Sequence, residues 1–189
     1  MALDLDKLKS GITDAMLVTK EDNLPDSDLA SMMAQAIVDY ASDAEVMLPA
    51  PVSGFVQTVT PFSPDASLAG KKLAVATADV GKSALEAAIL GSLKAMDVAF
   101  GIMTTGIVTY AATFLAFEST PVTAAGATVM SVPPIFVPAL AIGMAGGSTE
   151  DVGASMATII HASFTTSVFT GAGANPGFPS AGPVIGTLL

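Results

Sequence analysis

The chain of 189 residues lacks cysteine, tryptophan and arginine, and it contains a single histidine. The absence of cysteine excludes a disulfide framework and any thiolate metal site. Charged residues make up only 13% of the chain, about half of the usual proportion. Because 51% of the residues are hydrophobic, the low charge does not indicate a disordered chain. The composition is that of a protein with a sizeable apolar core.

Positive charge is scarce. Seven lysines face 17 acidic residues, so the formal net charge is -10. A nucleic-acid-binding surface needs a basic stripe that displaces counterions from phosphates. This chain has no such stripe, and nucleic acid is not among its predicted partners.

The few charges are concentrated in the first half of the chain. Residues 1–94 contain all seven lysines, and the acidic residues that follow are Asp97, Glu118, Glu150 and Asp151. A soluble surface without charge must be covered by serine, threonine and glycine, or by a partner. We therefore expect residues 95–189 to be covered largely by other protein chains.

Apolar residues recur at spacings of three and four, which predicts helices. The predicted helices span residues 2–19, 27–42, 68–96, 98–117 and 150–169. Residues 54–60 alternate between apolar and polar and predict one short strand. The predicted fold class is mainly α: a bundle of about five helices with Gly/Pro-rich loops, at most one short hairpin and an extended C-terminal arm.

The predicted organisation has four parts. They are an N-terminal helical pair (1–45), a proline-rich linker or short strand region (46–67), an apolar helical core (68–170) and the C-terminal arm (171–189). The glycines and prolines of the arm argue against a helix or a central strand. Its apolar residues are unusual for a solvated linker, so we expect it to lie along a neighbouring subunit. The predicted subunit contacts are Phe178, Pro179, Pro183, Val184 and Ile185.

One short motif is similar to a phosphate-binding loop: Ala76-Thr-Ala-Asp-Val-Gly81-Lys82-Ser83, with alanine in place of the first glycine. A working loop follows a buried strand and is paired with a second apolar strand that ends in aspartate. The sequence shows no such second strand after Lys82. The favoured interpretation places Gly81-Lys-Ser in or at the start of a helix, and a nucleotide-binding enzyme is the least favoured hypothesis.

His161 is the only imidazole, and no acidic residue lies three or four positions from it. This spacing does not favour a metal ligand or a general base on one helix face. We interpret His161 as a helix-face or interface histidine that is hydrogen-bonded to the backbone. The sequence therefore predicts no catalytic residue, no metal site and no cofactor.

Residues 98–117 are uncharged and mostly apolar, and this stretch is long enough to form a membrane-spanning helix. Asp97 and Glu118 bound the stretch, and no lysine follows Lys94 to orient it in a membrane. A helix buried in protein and packed through small residues has the same pattern. A small membrane protein with a helical hairpin, such as a pore or lysis factor, is therefore the alternative interpretation.

Four segments occur in a characteristic order. They are Ala34-Gln-Ala-Ile-Val-Asp-Tyr-Ala41, Ser131-Val-Pro-Pro134, Ala157-Thr-Ile-Ile-His-Ala-Ser-Phe164 and a Gly/Pro tail ending near Gly182-Pro183. In composition and order the chain resembles small uncharacterised structural proteins encoded among the tail and neck genes of tailed bacteriophages. The resemblance implies a non-enzymatic virion component, made in the host cytoplasm, that assembles with itself and with other virion proteins.

Overall fold

The structure of the chain is a computed structural model that describes residues 3–48, 56–57, 68, 70–95 and 99–189. Its architecture is a closed antiparallel β-barrel with helices packed against it. The helices of the described residues are α1 (Leu5–Glu21), α2 (Asp26–Ala41), α3 (Lys82–Lys94), α4 (Ala99–Ala111), α5 (Val137–Met144) and α6 (Thr149–Thr165). The strands are β1 (Glu45–Met47), β2 (Val56–Gln57), β3 (Lys72–Val75), β4 (Ala116–Ser119), β5 (Val122–Met130), β6 (Ser167–Asn175) and β7 (Ser180–Leu188).

The barrel is built from six strands in the order β1-β3-β4-β5-β6-β7, and all pairings are antiparallel. It closes because β1 also pairs with β7, where Val46 lies opposite Leu188. The short strand β2 pairs with the other end of β7, opposite Ser180 and Ala181. Closure gives the backbone groups of the edge strands partners that an open sheet would leave exposed.

Glycine allows two strands of the barrel to approach closely. Gly126 on β5 lies directly opposite Gly171 on β6. A Cβ atom on Gly126 would lie 2.2 Å from the carbonyl oxygen of Thr170 and 2.4 Å from the Cα of Gly171. No side chain fits at that distance, so glycine in these strands is a requirement of the close approach.

The helices form a row in which the main contacts follow the order α5, α6, α1, α2, α3, α4. Asp4 is the N-cap of α1, and its side chain accepts hydrogen bonds from the backbone N–H groups of Asp6 and Lys7 at 2.9 and 3.2 Å. Helix α6 begins with a capping box between Ser148 and Asp151. These caps satisfy N–H groups that the helix itself leaves unbonded.

Six buried aromatic side chains, which we call the aromatic cluster, lie in the core shared by the helices and the barrel. Tyr40 on α2, Tyr110 on α4, Phe114 after α4 and Phe164 on α6 form one group, in which neighbouring rings lie 5.1 to 6.4 Å apart. Phe117 on β4 and Phe169 on β6 form a separate pair, 4.5 Å apart. These are spacings at which aromatic pairs attract each other.

The predicted fold class is wrong. The described residues form six helices together with a closed six-stranded barrel, whereas the sequence predicted a mainly α bundle with at most one short hairpin. The helices α1, α2 and α6 lie close to their predicted positions, and the prediction failed in the strands. Those strands are rich in alanine, glycine and threonine, so the apolar–polar alternation that marks a strand is weak in the sequence.

Two predicted long helices are shorter in the structure. The segment predicted as helix 68–96 first forms β3, and α3 begins only at Lys82. The segment 98–117 contains α4, which ends at Ala111, and then enters β4. At the end of α4, Thr113 Oγ1 donates to the carbonyl of Tyr110 at 2.7 Å. Just beyond the helix, Thr77 Oγ1 donates to the carbonyl of Thr113 at 2.9 Å, and Thr128 Oγ1 donates to that of Phe114 at 2.7 Å.

The predicted extended C-terminal arm is also wrong, because this part of the chain belongs to the barrel. Residues 171–175 complete β6, and Ser180–Leu188 form β7, which pairs with β6 from Ser180 to Thr187. Pro183 is tolerated in β7 because, among the described residues, the opposite edge of β7 is paired only near its two ends, with β2 and β1. Proline occurs in sheets at such unpaired edge positions.

The predicted proline-rich region 46–67 is described only in part, as the end of β1, Leu48 and β2. Strand β2 lies inside the predicted strand 54–60, and the other residues of that segment fall outside the described ranges. The division of the chain into four parts stays a prediction.

Two glycines of α4 provide a matched test of the helix packing. A Cβ on Gly106 would lie 2.4 Å from the Cβ of Ala88 on α3, whereas a Cβ on Gly101 would meet nothing within 4 Å. We expect Gly106→Ala to lower the free energy of unfolding by about 1–3 kcal/mol, because α3 and α4 must separate. Gly101→Ala should raise it by up to about 1 kcal/mol, because alanine favours a helix. Urea denaturation measures both, and a similar effect of the two substitutions would contradict the described packing.

Candidate interaction surface

The most apolar exposed surface of the described residues lies on and just before α5. We define the α5 surface by its five large apolar side chains with high exposure: Val132, Ile135, Val137, Leu140 and Met144. Met144 is 80% exposed and Ile135 is 65% exposed. Of the eight residues of α5, six are exposed and only Ala139 is buried. A helix that is apolar all round is normally buried, so the exposure of this one makes it a candidate interaction surface.

A few anchors hold the α5 surface in place. Phe136 and Ala139 are buried, and they direct the residues between them outward. Thr104 Oγ1 on α4 donates a 2.7 Å hydrogen bond to the carbonyl of Pro134. After the helix, the N–H of Gly147 donates to the carbonyl of Ile142 at 2.9 Å, next to Gly146 with its positive φ of 80°. The exposure therefore belongs to an ordered helix with defined ends.

The α5 surface is uncharged as well as apolar. From residue 119 to residue 149 the sequence contains no charged residue. The exposed fractions of the five side chains correspond to on the order of 500 Å² of surface, near the upper limit for the largest apolar patch of an ordinary monomer. Chemically, such a surface can bury area against a partner, and it offers no titratable or nucleophilic group.

A cavity of about 320 Å³ opens beside Met144. Its lining comes from α5 and α6: Ala139, Leu140, Gly143, Met144, Val152 and Met156. Gly143 leaves this space open, because a Cβ atom there would meet only Val152, at an ordinary contact distance of 3.6 Å. The α5 surface thus places a protruding side chain next to an apolar hole.

A second uncharged surface is the outer face of strands β5, β6 and β7, which we call the barrel wall. Its exposed residues are Thr123, Ala125, Ala127, Val129, Thr170, Ala172, Ala181, Pro183, Ile185 and Thr187. Most of these side chains are small, and Val129 and Ile185 are the large apolar ones. Small uncharged side chains make a face that another protein surface can approach closely.

The predicted subunit contacts lie at one side of the barrel wall. Pro183 and Ile185 point outward on β7, whereas Val184 points inward and is buried in the chain's own core. Phe178 is half-buried and Pro179 exposed in the turn between β6 and β7. The contact of these residues with a neighbouring subunit stays a prediction.

The sequence predicts no helix or strand between the predicted helices 98–117 and 150–169, where residues 119–148 are rich in glycine, alanine and proline, and the α5 surface was therefore missed. The long run without charge was visible in the sequence. The pattern did not show which apolar residues of the run would remain outside, because Phe136 and Ile135 are equally apolar and only the fold buries the first and exposes the second.

The phosphate-loop-like motif has a structural role. Gly81 is the N-cap of α3, which confirms that Gly81-Lys-Ser lies at the start of a helix. Lys82 Nζ donates a hydrogen bond to Gln35 Oε1 on α2. The hydroxyl of Tyr110 donates to the carbonyl of Ala78 at 2.7 Å, so the loop is bound to α4. The lysine and the loop backbone are engaged within the protein itself.

His161 lies at the junction of α1, α2 and α6. Its Nδ1 is 2.7 Å from the hydroxyl of Tyr40, whose side chain is fully buried. The structure thus provides a side-chain partner, whereas the sequence analysis expected a backbone one. Burial lowers the pKa of His161, the charge of Lys9 lowers it further, and the charge of Asp4 opposes both effects.

Across the described ranges, no group of three histidine, cysteine or acidic side chains is arranged to hold a metal ion. In the same residues, every helix is too short or too polar to cross a membrane. Comparisons with protein-family models, with curated proteins and with solved structures gave no match to this chain. The surfaces of the molecule are therefore the source of any functional inference.

The lowered pKa of His161 predicts a loss of stability in mild acid. The unfolded chain has the ordinary histidine pKa of about 6.5, so it binds more protons than the folded chain as the pH falls below that value. The free energy of unfolding should be highest above pH about 6.5 and should decrease as the pH falls towards the folded pKa. Urea denaturation from pH 8 to pH 5 measures this, and His161→Gln serves as the control that removes the imidazole. Parallel pH profiles of the two proteins would contradict the prediction.

Proposed function

We propose that this protein is a non-enzymatic virion structural protein of a tailed phage, associated with the tail, neck or baseplate. It acts through self-assembly and subunit packing. Its partners are copies of itself and other virion proteins, and it is made in the host cytoplasm. The phage assignment comes from the resemblance in the order and composition of segments, and the assembly role comes from the surface of the molecule.

The observation that supports self-assembly best is the exposure of the α5 surface. Large side chains such as Ile135, Val137 and Met144 face solvent from an ordered apolar helix. Burial of apolar surface contributes roughly 25 cal/mol per Å². A monomer forgoes this free energy, and an assembled protein recovers it when a partner covers the helix.

Electrostatics favour the uncharged surfaces as sites of contact between copies. Each chain carries a formal net charge of -10, so two copies repel each other wherever acidic faces meet. The α5 surface and the barrel wall bring no charge to a contact, so copies that meet there keep their acidic faces apart. The same acidic faces keep the unassembled protein soluble.

The proposal predicts association without detergent. Light scattering coupled to gel filtration should give the purified protein a mass above the 18.8 kDa of one chain, because a partner copy buries the exposed helix. A stable monomer across the micromolar range would overturn the self-assembly part. A protein that enters solution only with detergent, and that binds uncharged lipid vesicles, would favour the membrane alternative instead.

Particle association tests the virion part separately. Quantitative mass spectrometry of purified virions should find the chain at a fixed copy number per particle after high-salt washing. A host protein of similar abundance serves as the carry-over control. Copy numbers that vary with the wash would contradict a virion component even if the protein self-associates.

A further inference from the structure

The α5 surface contains a protruding side chain and an open apolar cavity side by side. Met144 stands 80% exposed at the end of α5. It forms one wall of the cavity of about 320 Å³ between α5 and α6, whose other walls include Gly143, Val152 and Met156. A methionine side chain is unbranched and flexible, which suits it to filling an irregular apolar hole.

We propose that two copies of this chain pair about a two-fold axis across the α5 surface, with Met144 of each copy entering the cavity of the other. This inference depends on the proposed function and names the surface and the symmetry of one contact. A two-fold contact uses the same patch on both copies, so a residue and its complement must both lie on that patch. Met144 and the cavity meet this condition.

The available area agrees with a stable pair. The five side chains of the α5 surface expose on the order of 500 Å² on each copy. Two such patches bury about 1,000 Å² in total, which is the lower limit for a specific interface. The cavity lining adds to this area when it is filled.

The charges around the α5 surface determine how the proposed dimer responds to salt. Glu150 and Asp151 begin α6 and follow α5 directly in the chain, whereas the patch itself has no charge. Lys9 of α1 lines a groove there with Pro138, Ile142 and Asp151, so Glu150, Asp151 and Lys9 give the rim a net charge of only -1. The repulsion between two copies comes mainly from the formal net charge of -10 on each chain, and salt screens it over about 10 Å at 0.1 M. Higher salt should tighten this dimer, whereas it would weaken an interface held by ion pairs.

Two substitutions test the inference from opposite sides. Met144→Glu places a charge on the protrusion, and we expect the dimer dissociation constant to rise at least about 100-fold. Gly143→Leu fills the cavity from within its own chain and should weaken the dimer similarly. Because its Cβ meets only Val152, at 3.6 Å, and because leucine favours a helix more than glycine does, the monomer of Gly143→Leu should be at least as stable as the wild-type chain. If the variant has a smaller mass in solution and an undiminished free energy of unfolding, it has lost the interface and kept its fold.

Two further variants provide the controls. Val80 is 67% exposed in the loop before α3, and Val80→Glu should leave the dissociation constant unchanged. Ile185 is 61% exposed on the barrel wall, and Ile185→Lys probes the rival interface. Sedimentation equilibrium at 50 and 500 mM salt gives the dimer dissociation constant of the wild-type chain and of each variant.

The outcomes are distinct. Loss of the two-chain species in Met144→Glu and in Gly143→Leu, with Val80→Glu unaffected and tighter wild-type association at high salt, supports the two-fold pair. Association that persists in Met144→Glu, or that only Ile185→Lys disrupts, overturns the inference and leaves self-assembly standing through another surface. A wild-type chain that is monomeric at all concentrations overturns both the inference and the proposed self-assembly.

Discussion

The buried core that contains the aromatic cluster is the constraint on which the rest of the structure depends. Tyr40, Tyr110 and Phe164 pack together from three helices, and Phe117 and Phe169 pack as a pair from two strands. Because both groups are buried in the same continuous core, the helices lie against the barrel. Burial of such large rings is among the strongest local contributions to a core. What the cluster does not cover then defines the outside of the molecule: the barrel wall and α5.

Groups that look reactive in the sequence are engaged in holding this arrangement together. Lys82 hydrogen-bonds to Gln35, and the Tyr110 hydroxyl bonds to the carbonyl of Ala78. Tyr40 bonds to His161, the only imidazole of the chain. Each interaction joins elements that are distant in the sequence. What the α5 surface offers chemically is therefore exposed apolar area, and its burial against a second copy is our proposal.

The helices were predictable where amphipathic periodicity was strong, as in α1, α2 and α6. The barrel was not, because its strands are paired over long distances: Val46 meets Leu188, and Gly126 meets Gly171. Glycine and proline normally argue against strands. In this barrel, glycine lies where two strands approach closely, and proline lies at an unpaired strand edge. Pairings of this kind leave little trace in local composition.

The amino-acid sequence by itself determined that the second half of the chain has almost no charge, so that its surface consists of serine, threonine and glycine or is covered by a partner. Only the tertiary structure decided which apolar residues the chain buries and which it leaves outside. Phe136 and Ile135 are neighbours of similar character, yet the first is buried in the core and the second is exposed. The physical reason is that burial depends on the direction in which the fold points a side chain, and hydrophobicity alone does not specify that direction.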